Sequence, residues 1–268
     1  MSTLSLSLVQ TNLYWEDKAA NLRMLEEKIN GISQPTNLVI LPEMFSTGFS
    51  MKPELLAEKM DGPTVNWMRQ TAMDRRVILT GSIIVEDEGH YYNRLLWMQP
   101  NGQYGYYDKR HLFALGEEHK HYSAGAKRMI ASVNGWKINL QICYDLRFPV
   151  WARQSPRHIE KRISDEAEYD LLLYVANWPE RRSHAWKTLL AARAIENQCY
   201  VAGVNRVGND GNDIYHSGNS MVIDPLGEIL CQQDQDETIL SITLHKNELQ
   251  EIRTKLPFGN DADDFLLV

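Results

Sequence analysis

Short apolar segments alternate with amphipathic ones along this chain. Alternating polar and apolar residues at 4–10 predict a strand, and the unbroken apolar run Leu38 to Leu41 predicts a strand buried on both faces. Pro42 follows directly and should end that strand. The apolar spacing predicts helices at 18–32, 63–74, 148–154, 183–197 and 247–255, and further strands at 77–85, 170–175, 200–205 and 238–244.

Turn sequences lie between several of the remaining apolar runs. Pro100-Asn-Gly102, Asn134-Gly135 and Asp224-Pro-Leu-Gly227 each separate two such runs, which predicts three β-hairpins. Because strands and helices alternate through most of the chain, we expect an α/β sandwich of layers in one domain, residues 1–268. The charged stretch Ser155 to Glu168 is the best candidate for an insertion, and the tail 261–268 could pack on the body or on a partner.

The composition is that of an ordinary globular protein, with 43% hydrophobic and 24% charged residues. A net charge of −7 without a long Lys/Arg run argues against nucleic acid as the main partner and leaves a small molecule as the expected one. The first residues lack the pattern of a signal peptide, and no apolar stretch is long enough to span a bilayer. Three widely spaced cysteines do not form a disulfide framework, so we expect free thiols and a cytoplasmic location.

Cys143 is the first candidate for chemistry, because an alternating strand ends at this residue and a helix is predicted just after it. Asp145 can cap that helix, and the positive end of a helix dipole favours a thiolate. The backbone N–H of Tyr144 would then point at a developing oxyanion. The alternative is a buried structural cysteine.

Two further reactive side chains follow predicted strands. Glu43 comes directly after the buried run that ends at Leu41, where partial desolvation would suit a general base. Lys109 directly follows the strand predicted over 103–108, where a fixed ammonium can stabilise an oxyanion. Residues 109–127 predict a long ordered loop, in which Glu117 or Glu118 could orient Lys109. Each residue also has a structural alternative. Glu43 could be a capping or surface glutamate, and Lys109 with Arg110 could be a solvated basic turn. Glu117 and Glu118 could be a solvent-facing acidic pair.

We expect no metal and no cofactor. His111, His119 and His121 lie in the long loop, but no further ligands at convincing spacing accompany them. The sequence also contains no H-E-x-x-H, no G-x-S-x-G and no G-x-x-x-x-G-K-[ST] motif.

The strand-end residues lie in blocks that resemble the nitrilase superfamily of carbon–nitrogen hydrolases. The blocks are Leu41-Pro-Glu-Met-Phe45, Tyr107-Asp-Lys-Arg-His-Leu-Phe113 and Gln141-Ile-Cys-Tyr-Asp-Leu-Arg-Phe-Pro149, where the family has its catalytic glutamate, lysine and cysteine. Further blocks agree in the family's order: 173–179, 191–197, 201–208 and 216–220. The sequence is most similar to the ω-amidase branch, whose members hydrolyse the terminal amide of α-keto acid amides such as 2-oxoglutaramate. The charged stretch 155–168 is longer than is usual in the family.

The resemblance implies a four-layer α-β-β-α sandwich that forms a homodimer or higher homo-oligomer. It implies catalysis through a thioester by Glu43, Lys109 and Cys143, with Glu117 at the position of the family's second glutamate. We expect three further residues to contact the substrate. Arg147 would bind a substrate carboxylate, and Trp178 and Phe45 would form walls of the pocket.

Three alternatives to these roles and this activity stay open. Arg147 could equally form a structural salt bridge, and the two aromatic residues could simply pack in the core. The activity could instead be that of an N-carbamoyl amidohydrolase or a nitrilase, since these share the same three residues. The chain could also be a non-catalytic binding protein on the same fold.

Overall fold

The computed structural model describes residues 2–154, 167–263 and 265. Residues 155–166, most of the predicted insertion, lie outside the described residues, as do residues 264 and 266–268 of the tail. The described α-helices are α1 Lys18–Asn30, α2 Pro53–Leu56, α3 Pro63–Arg75, α4 Pro149–Ala152, α5 Ser183–Asn197 and α6 Lys246–Lys255. The described strands are β1 Thr3–Gln10, β2 Leu38–Ile40, β3 Ile78–Asp87, β4 His90–Met98, β5 Tyr104–Asp108, β6 Ile130–Val133, β7 Trp136–Ile142, β8 Leu171–Ala176, β9 Tyr200–Asn205, β10 Val207–Asn209, β11 Tyr215–Ile223, β12 Ile229–Asp234 and β13 Thr238–His245.

Two mixed sheets carry the described strands. The first sheet has the order β13-β1-β2-β3-β4-β5, and the second has the order β10-β11-β9-β8-β7-β6, with β12 paired to β11. Strands β1, β2 and β3 run parallel, as do β7, β8 and β9. Their carboxyl ends therefore lie along one edge of each sheet, which is where strand-end side chains can meet.

Three apolar clusters pack the sheets and helices into layers. The central cluster lies between the sheets and includes Leu38 and Ile40 from β2 and Leu140 from β7. Val39 points to the opposite face, into a cluster that joins the first sheet to α1 and α3. A third cluster joins the second sheet to α5 through side chains such as Leu190. Helices thus cover the outer face of each sheet, which confirms the predicted α-β-β-α sandwich.

Most predicted elements are present, and the main differences lie around the site. The helix predicted over 148–154 is only the four residues of α4, preceded by a 3₁₀ turn over Cys143–Arg147. The predicted loop 109–127 contains two 3₁₀ turns, Ala114–Gly116 and Glu118–Lys120. Helix α2 and strand β10 were not predicted because each is too short to show a period. No helix in the described part of the chain is long and apolar enough to cross a membrane.

The central cluster should dominate stability. Leu140→Ala removes a fully buried side chain from between the sheets, and we expect it to lower the free energy of unfolding by about 2–5 kcal/mol, because the cavity adds to the lost transfer energy. Leu55→Ala, at a side chain that is 78% exposed, serves as the matched control and should change it by less than about 0.5 kcal/mol. Urea denaturation measures both. Equal effects of the two substitutions would contradict this assignment of the core.

Candidate active site

The predicted reactive residues meet at the strand ends between the two sheets. Glu43 follows β2 and Lys109 follows β5, both in the first sheet, whereas Cys143 follows β7 in the second. Glu43 and Lys109 are fully buried, and Cys143 is partly buried. Strand pairing and the packing of the two sheets therefore bring together three residues that are far apart in the sequence.

An ammonium between two carboxylates forms the centre of the site. Lys109 Nζ donates to Glu43 Oε1 at 2.8 Å and to the two carboxylate oxygens of Glu118 at 3.0 and 2.9 Å. Burial alone lowers the pKa of Lys109, but the charges of Glu118 and Glu43 outweigh it and raise that pKa above its ordinary value. Lys109 is therefore held as a cation at neutral pH.

Two asparagines fix the Glu43 carboxylate. Asn93 Nδ2, on β4, donates to Glu43 Oε1 at 2.8 Å and also lies 3.3 Å from Glu118 Oε1. The backbone N–H of Asn177, just after β8, donates to Glu43 Oε2 at 2.8 Å, and its side-chain amide donates to the Glu43 carbonyl at 2.5 Å. Both carboxylate oxygens of Glu43 thus have fixed partners from two sheets.

Cys143 has a left-handed backbone conformation, with φ = 43°. Such a φ is unusual for a residue with a side chain and needs local support. Asp145 supplies this support: its Oδ2 accepts from the Ile142 N–H at 3.0 Å and from the Tyr107 hydroxyl at 2.8 Å, and its Oδ1 accepts from the His111 N–H at 2.9 Å. Asp145 therefore does not cap a following helix; it lies within the 3₁₀ turn and holds the residue before the cysteine.

The Cys143 thiol is buried near these charges. Its pKa is raised well above the ordinary value, first by burial and then by the charge of Glu43, against the opposing effect of Lys109. The expectation that a helix dipole stabilises a thiolate is therefore wrong for the resting protein, since the turn at Cys143–Arg147 is short and a carboxylate faces the sulfur. The resting thiol keeps its proton.

Glu118, and not Glu117, contacts Lys109. Glu118 is buried, whereas Glu117 is exposed and its carboxylate pairs with Lys120. The prediction for Glu117 is therefore wrong, because the backbone at Glu117 turns left-handed (φ = 59°) between the two 3₁₀ turns and directs the next side chain inward. The Phe113 N–H, at 2.6 Å from Glu118 Oε2, holds that carboxylate in place.

The other four residues predicted for the site, Phe45, Tyr144, Arg147 and Trp178, lie in different surroundings. Phe45 is fully buried on the outer side of the first sheet against Trp67, so its prediction as a pocket wall is wrong. Tyr144 follows Cys143 at the start of the 3₁₀ turn, where backbone N–H groups have no partner within the turn. Arg147 is exposed, and its guanidinium carbon lies 5.0 Å from the centroid of the Trp178 ring. Trp178 itself is almost fully buried.

Metal ligation is not supported by the described part of the chain, where no group of three or more His, Cys, Asp or Glu side chains is placed to hold an ion. His111, one of the histidines considered for a metal, instead stacks on Phe148 with ring centroids 3.9 Å apart and pairs with Asp145.

Comparison with known proteins decides the family. Residues 5–254 match the model of the family described as carbon-nitrogen hydrolase. The chain belongs to the carbon–nitrogen hydrolase family. It is 44% identical over 268 residues to omega-amidase YafV of Escherichia coli (strain K12), with 100% of both chains covered. It is 32% identical over 260 residues to 2-oxoglutaramate amidase of Bacillus subtilis (strain 168), with 96% of each covered.

A solved structure shows the same fold over the full length. The carbon–nitrogen hydrolase superfamily protein XC1258 of Xanthomonas campestris, which carries an arsenic adduct in its active site, superposes with a TM-score of 0.96. It is 45% identical to this chain, and each chain is covered completely. Both the predicted family and the predicted fold are thus confirmed.

The geometry of this carbon–nitrogen hydrolase suits acyl transfer to sulfur. A carboxylate that accepts a hydrogen bond from a thiol can take its proton as the sulfur bonds to carbon. A buried ammonium beside that carboxylate can stabilise negative charge on an oxygen, and burial strengthens such electrostatic effects.

Several residues of the site were not singled out in the sequence. Asn177 directly follows a buried strand, so the strand-end rule that selected Glu43 would also have selected it. Asn93 lies within a strand and Phe113 contributes through its backbone, so neither gave a sequence signal.

The carboxylate of Glu43 should hold the Cys143 pKa high. Because Glu43→Gln removes that negative charge and leaves Lys109 nearby, we expect the pH midpoint of Cys143 alkylation by iodoacetamide to move to lower pH. Mass spectrometry of the labelled peptide measures the rate, and Cys143→Ala gives the background from Cys199 and Cys231. A midpoint that stays in place or rises would contradict the proposed contact.

Substitutions of the two neighbouring glutamates should have very different effects on the free energy of unfolding. Glu118→Gln leaves one accepting oxygen for the donors Lys109 and Phe113 N–H, so we expect it to lower the free energy of unfolding by about 1–3 kcal/mol. Glu117→Gln, at the exposed neighbour, should change it by less than about 0.5 kcal/mol. Urea denaturation compares the two variants. A larger cost for Glu117→Gln would restore the original assignment.

Proposed function

We propose that this protein is an amidase that hydrolyses the terminal amide of a small carboxylate-bearing substrate, an α-keto acid amide such as 2-oxoglutaramate, to carboxylate and ammonia. The observation that carries the proposal is the buried ion pair of Glu43 with Lys109, at 2.8 Å, at the strand ends where Cys143 follows β7. The substrate class is supported by the relatives named omega-amidase and 2-oxoglutaramate amidase.

The first step is attack of sulfur on the amide carbon. Glu43 accepts the thiol proton while the S–C bond forms, because the raised pKa of Cys143 disfavours a free thiolate beforehand. Negative charge then moves to the former carbonyl oxygen. Lys109 Nζ and the Tyr144 N–H are the donors for this oxyanion, and removing one good donor costs about 3 kcal/mol of barrier.

The second step releases ammonia and the third restores the enzyme. Glu43 gives its proton to the leaving nitrogen as the C–N bond breaks and the thioester forms. Glu43 then takes a proton from water, whose oxygen attacks the thioester carbon. The same proton returns to sulfur as the C–S bond breaks, so no proton is gained or lost by the protein over the cycle. Glu118 and Asn93 keep Lys109 and Glu43 in position throughout.

Arg147 is proposed to bind the substrate carboxylate. Its guanidinium stacks over Trp178, and no described carboxylate forms an ion pair with it. A guanidinium can meet a carboxylate through two parallel hydrogen bonds, which orients the substrate as well as binding it. Trp178 acts as the wall against which Arg147 rests.

The exposed apolar side chains and the free cysteines bear on the oligomeric state and the cellular location. We propose that the chain acts as one domain in a homodimer or higher homo-oligomer, which the exposed side chains of Val150, Ile195 and Phe258 on the helical face support. Three free cysteines among the described residues favour the cytoplasm.

An ammonia-release screen tests the function. We expect ω-amides of α-keto acids to be hydrolysed at least tenfold faster than neutral amides, nitriles and N-carbamoyl compounds, because only the first carry the carboxylate that Arg147 can bind. Cys143→Ala, checked for folding by circular dichroism, is the control and should release no ammonia. Turnover of nitriles or N-carbamoyl compounds alone would favour the related activities, and wild-type rates in Cys143→Ala would remove the nucleophile assignment.

A further inference from the structure

A second arginine is connected through aromatic contacts to the residue after Cys143, and it has no role in the proposed mechanism. Arg182 follows β8 in the 3₁₀ turn Glu180–Arg182 and is half-buried. Its guanidinium carbon lies 5.1 Å from the centroid of the Phe113 ring. The Tyr144 ring packs edge-on against the same Phe113 ring, with centroids 5.1 Å apart. Arg182 is therefore one aromatic ring away from the residue that follows the nucleophile.

Arg182 is also tied to the wall that supports Arg147. The indole Nε1 of Trp178 donates to the Arg182 carbonyl at 2.8 Å, while the Trp178 ring lies under the Arg147 guanidinium. The two arginines are thus linked through Trp178, with the Phe113 ring under the Arg182 guanidinium and the Trp178 ring under the Arg147 guanidinium. Both guanidinium groups are pre-positioned by aromatic faces, which reduces the entropy lost on binding a ligand.

The Arg182 guanidinium has no acceptor in the described part of the chain. No carboxylate or carbonyl there accepts a hydrogen bond from it, although its backbone N–H and carbonyl are both paired. Burial, the neighbouring Arg181 and Arg147 all lower the pKa of Arg182, whereas the Cys143 sulfur, if ionised, raises it. Two like charges that act on each other are unfavourable alone. A bound anion would relieve both their repulsion and their missing hydrogen bonds.

We infer that Arg182 is a specificity-determining residue that binds the carboxylate of the substrate together with Arg147. This inference rests on the proposed amidase function for the identity of the substrate, but not for the presence of an anion site next to Cys143. A substrate carboxylate held between two guanidinium groups receives up to four N–H donors, whereas a neutral amide of the same length leaves them unpaired. Discrimination between these substrates follows from that difference.

The test compares Arg182→Gln with Arg181→Gln. Arg181 carries the same charge in the same turn but is exposed, so its removal controls for the loss of one positive charge. For Arg182→Gln we expect kcat/KM for the carboxylate-bearing ω-amide to fall roughly tenfold or more. For the neutral amide we expect less than about a threefold change, and for Arg181→Gln little change on either substrate.

A second readout does not depend on amidase activity. The ratio of Cys143 alkylation rates by iodoacetate and by iodoacetamide measures how strongly the site favours an anion over a neutral reagent of similar size. Arg182→Gln should lower this ratio several-fold, Arg147→Gln should lower it too, and Arg181→Gln should leave it near the wild-type value. Arg182→Lys, which keeps the charge and the backbone contact with Trp178, should retain most of the ratio and lose part of the kcat/KM.

The outcomes separate the two proposals. If no variant and no wild-type protein releases ammonia from any amide, the proposed function fails, and a lowered alkylation ratio in Arg182→Gln would still support the anion site. If Arg182→Gln reduces turnover of charged and neutral amides equally, or leaves the alkylation ratio unchanged, the assignment of Arg182 is overturned. Should Arg182→Gln not fold, the same two measurements on Arg182→Lys decide, because an unchanged kcat/KM for the ω-amide would overturn it.

Discussion

One buried ammonium shared by two buried carboxylates is the interaction on which the site depends. Lys109 lies between Glu43 and Glu118, all three away from water. Taking such charges out of water is costly, and the cost is offset only when every oxygen and proton has a partner. Asn93, Asn177 and the Phe113 N–H supply the missing partners. The arrangement is thus complete before substrate arrives, which is what electrostatic stabilisation of an oxyanion requires.

This same charge distribution governs the nucleophile. Burial raises the pKa of the Cys143 thiol, and the charges of the two carboxylates raise it further against the opposing ammonium. In the proposed mechanism the thiol therefore stays protonated until a carbonyl group offers an acceptor for the electron pair and Glu43 takes the proton. The backbone holds the sulfur in place through Asp145, whose carboxylate accepts hydrogen bonds from the Ile142 N–H just before the turn and from the His111 N–H in the loop after β5. Reactivity is linked in this way to the presence of substrate.

The two arginines around the Cys143 turn have the opposite charge. Arg147 and Arg182 rest on aromatic rings in a chain whose net charge is −7. A local pair of guanidinium groups can outweigh a weak overall field, since Coulomb interactions are strongest at short range and in partly desolvated places. In the proposed function, a buried cation in the interior assists the chemistry, while the two arginines select the charge of the substrate. The two tasks fall to different residues from different loops.

The sequence alone determined the layered α/β class and selected three candidate residues that lie at the ends of strands. Alternation and buried runs located β1, β2 and β7, and strand ends carried Glu43, Lys109 and Cys143, because local periodicity and strand termination are properties of adjacent residues. Only the tertiary structure decided that Glu118 contacts Lys109 in place of Glu117, that Phe45 packs behind the sheet, and that Arg182 lies near Cys143. These choices depend on the direction of single side chains in loops and on contacts between segments far apart in the chain. A one-residue shift in a turn reverses such a direction without changing any pattern visible in the sequence.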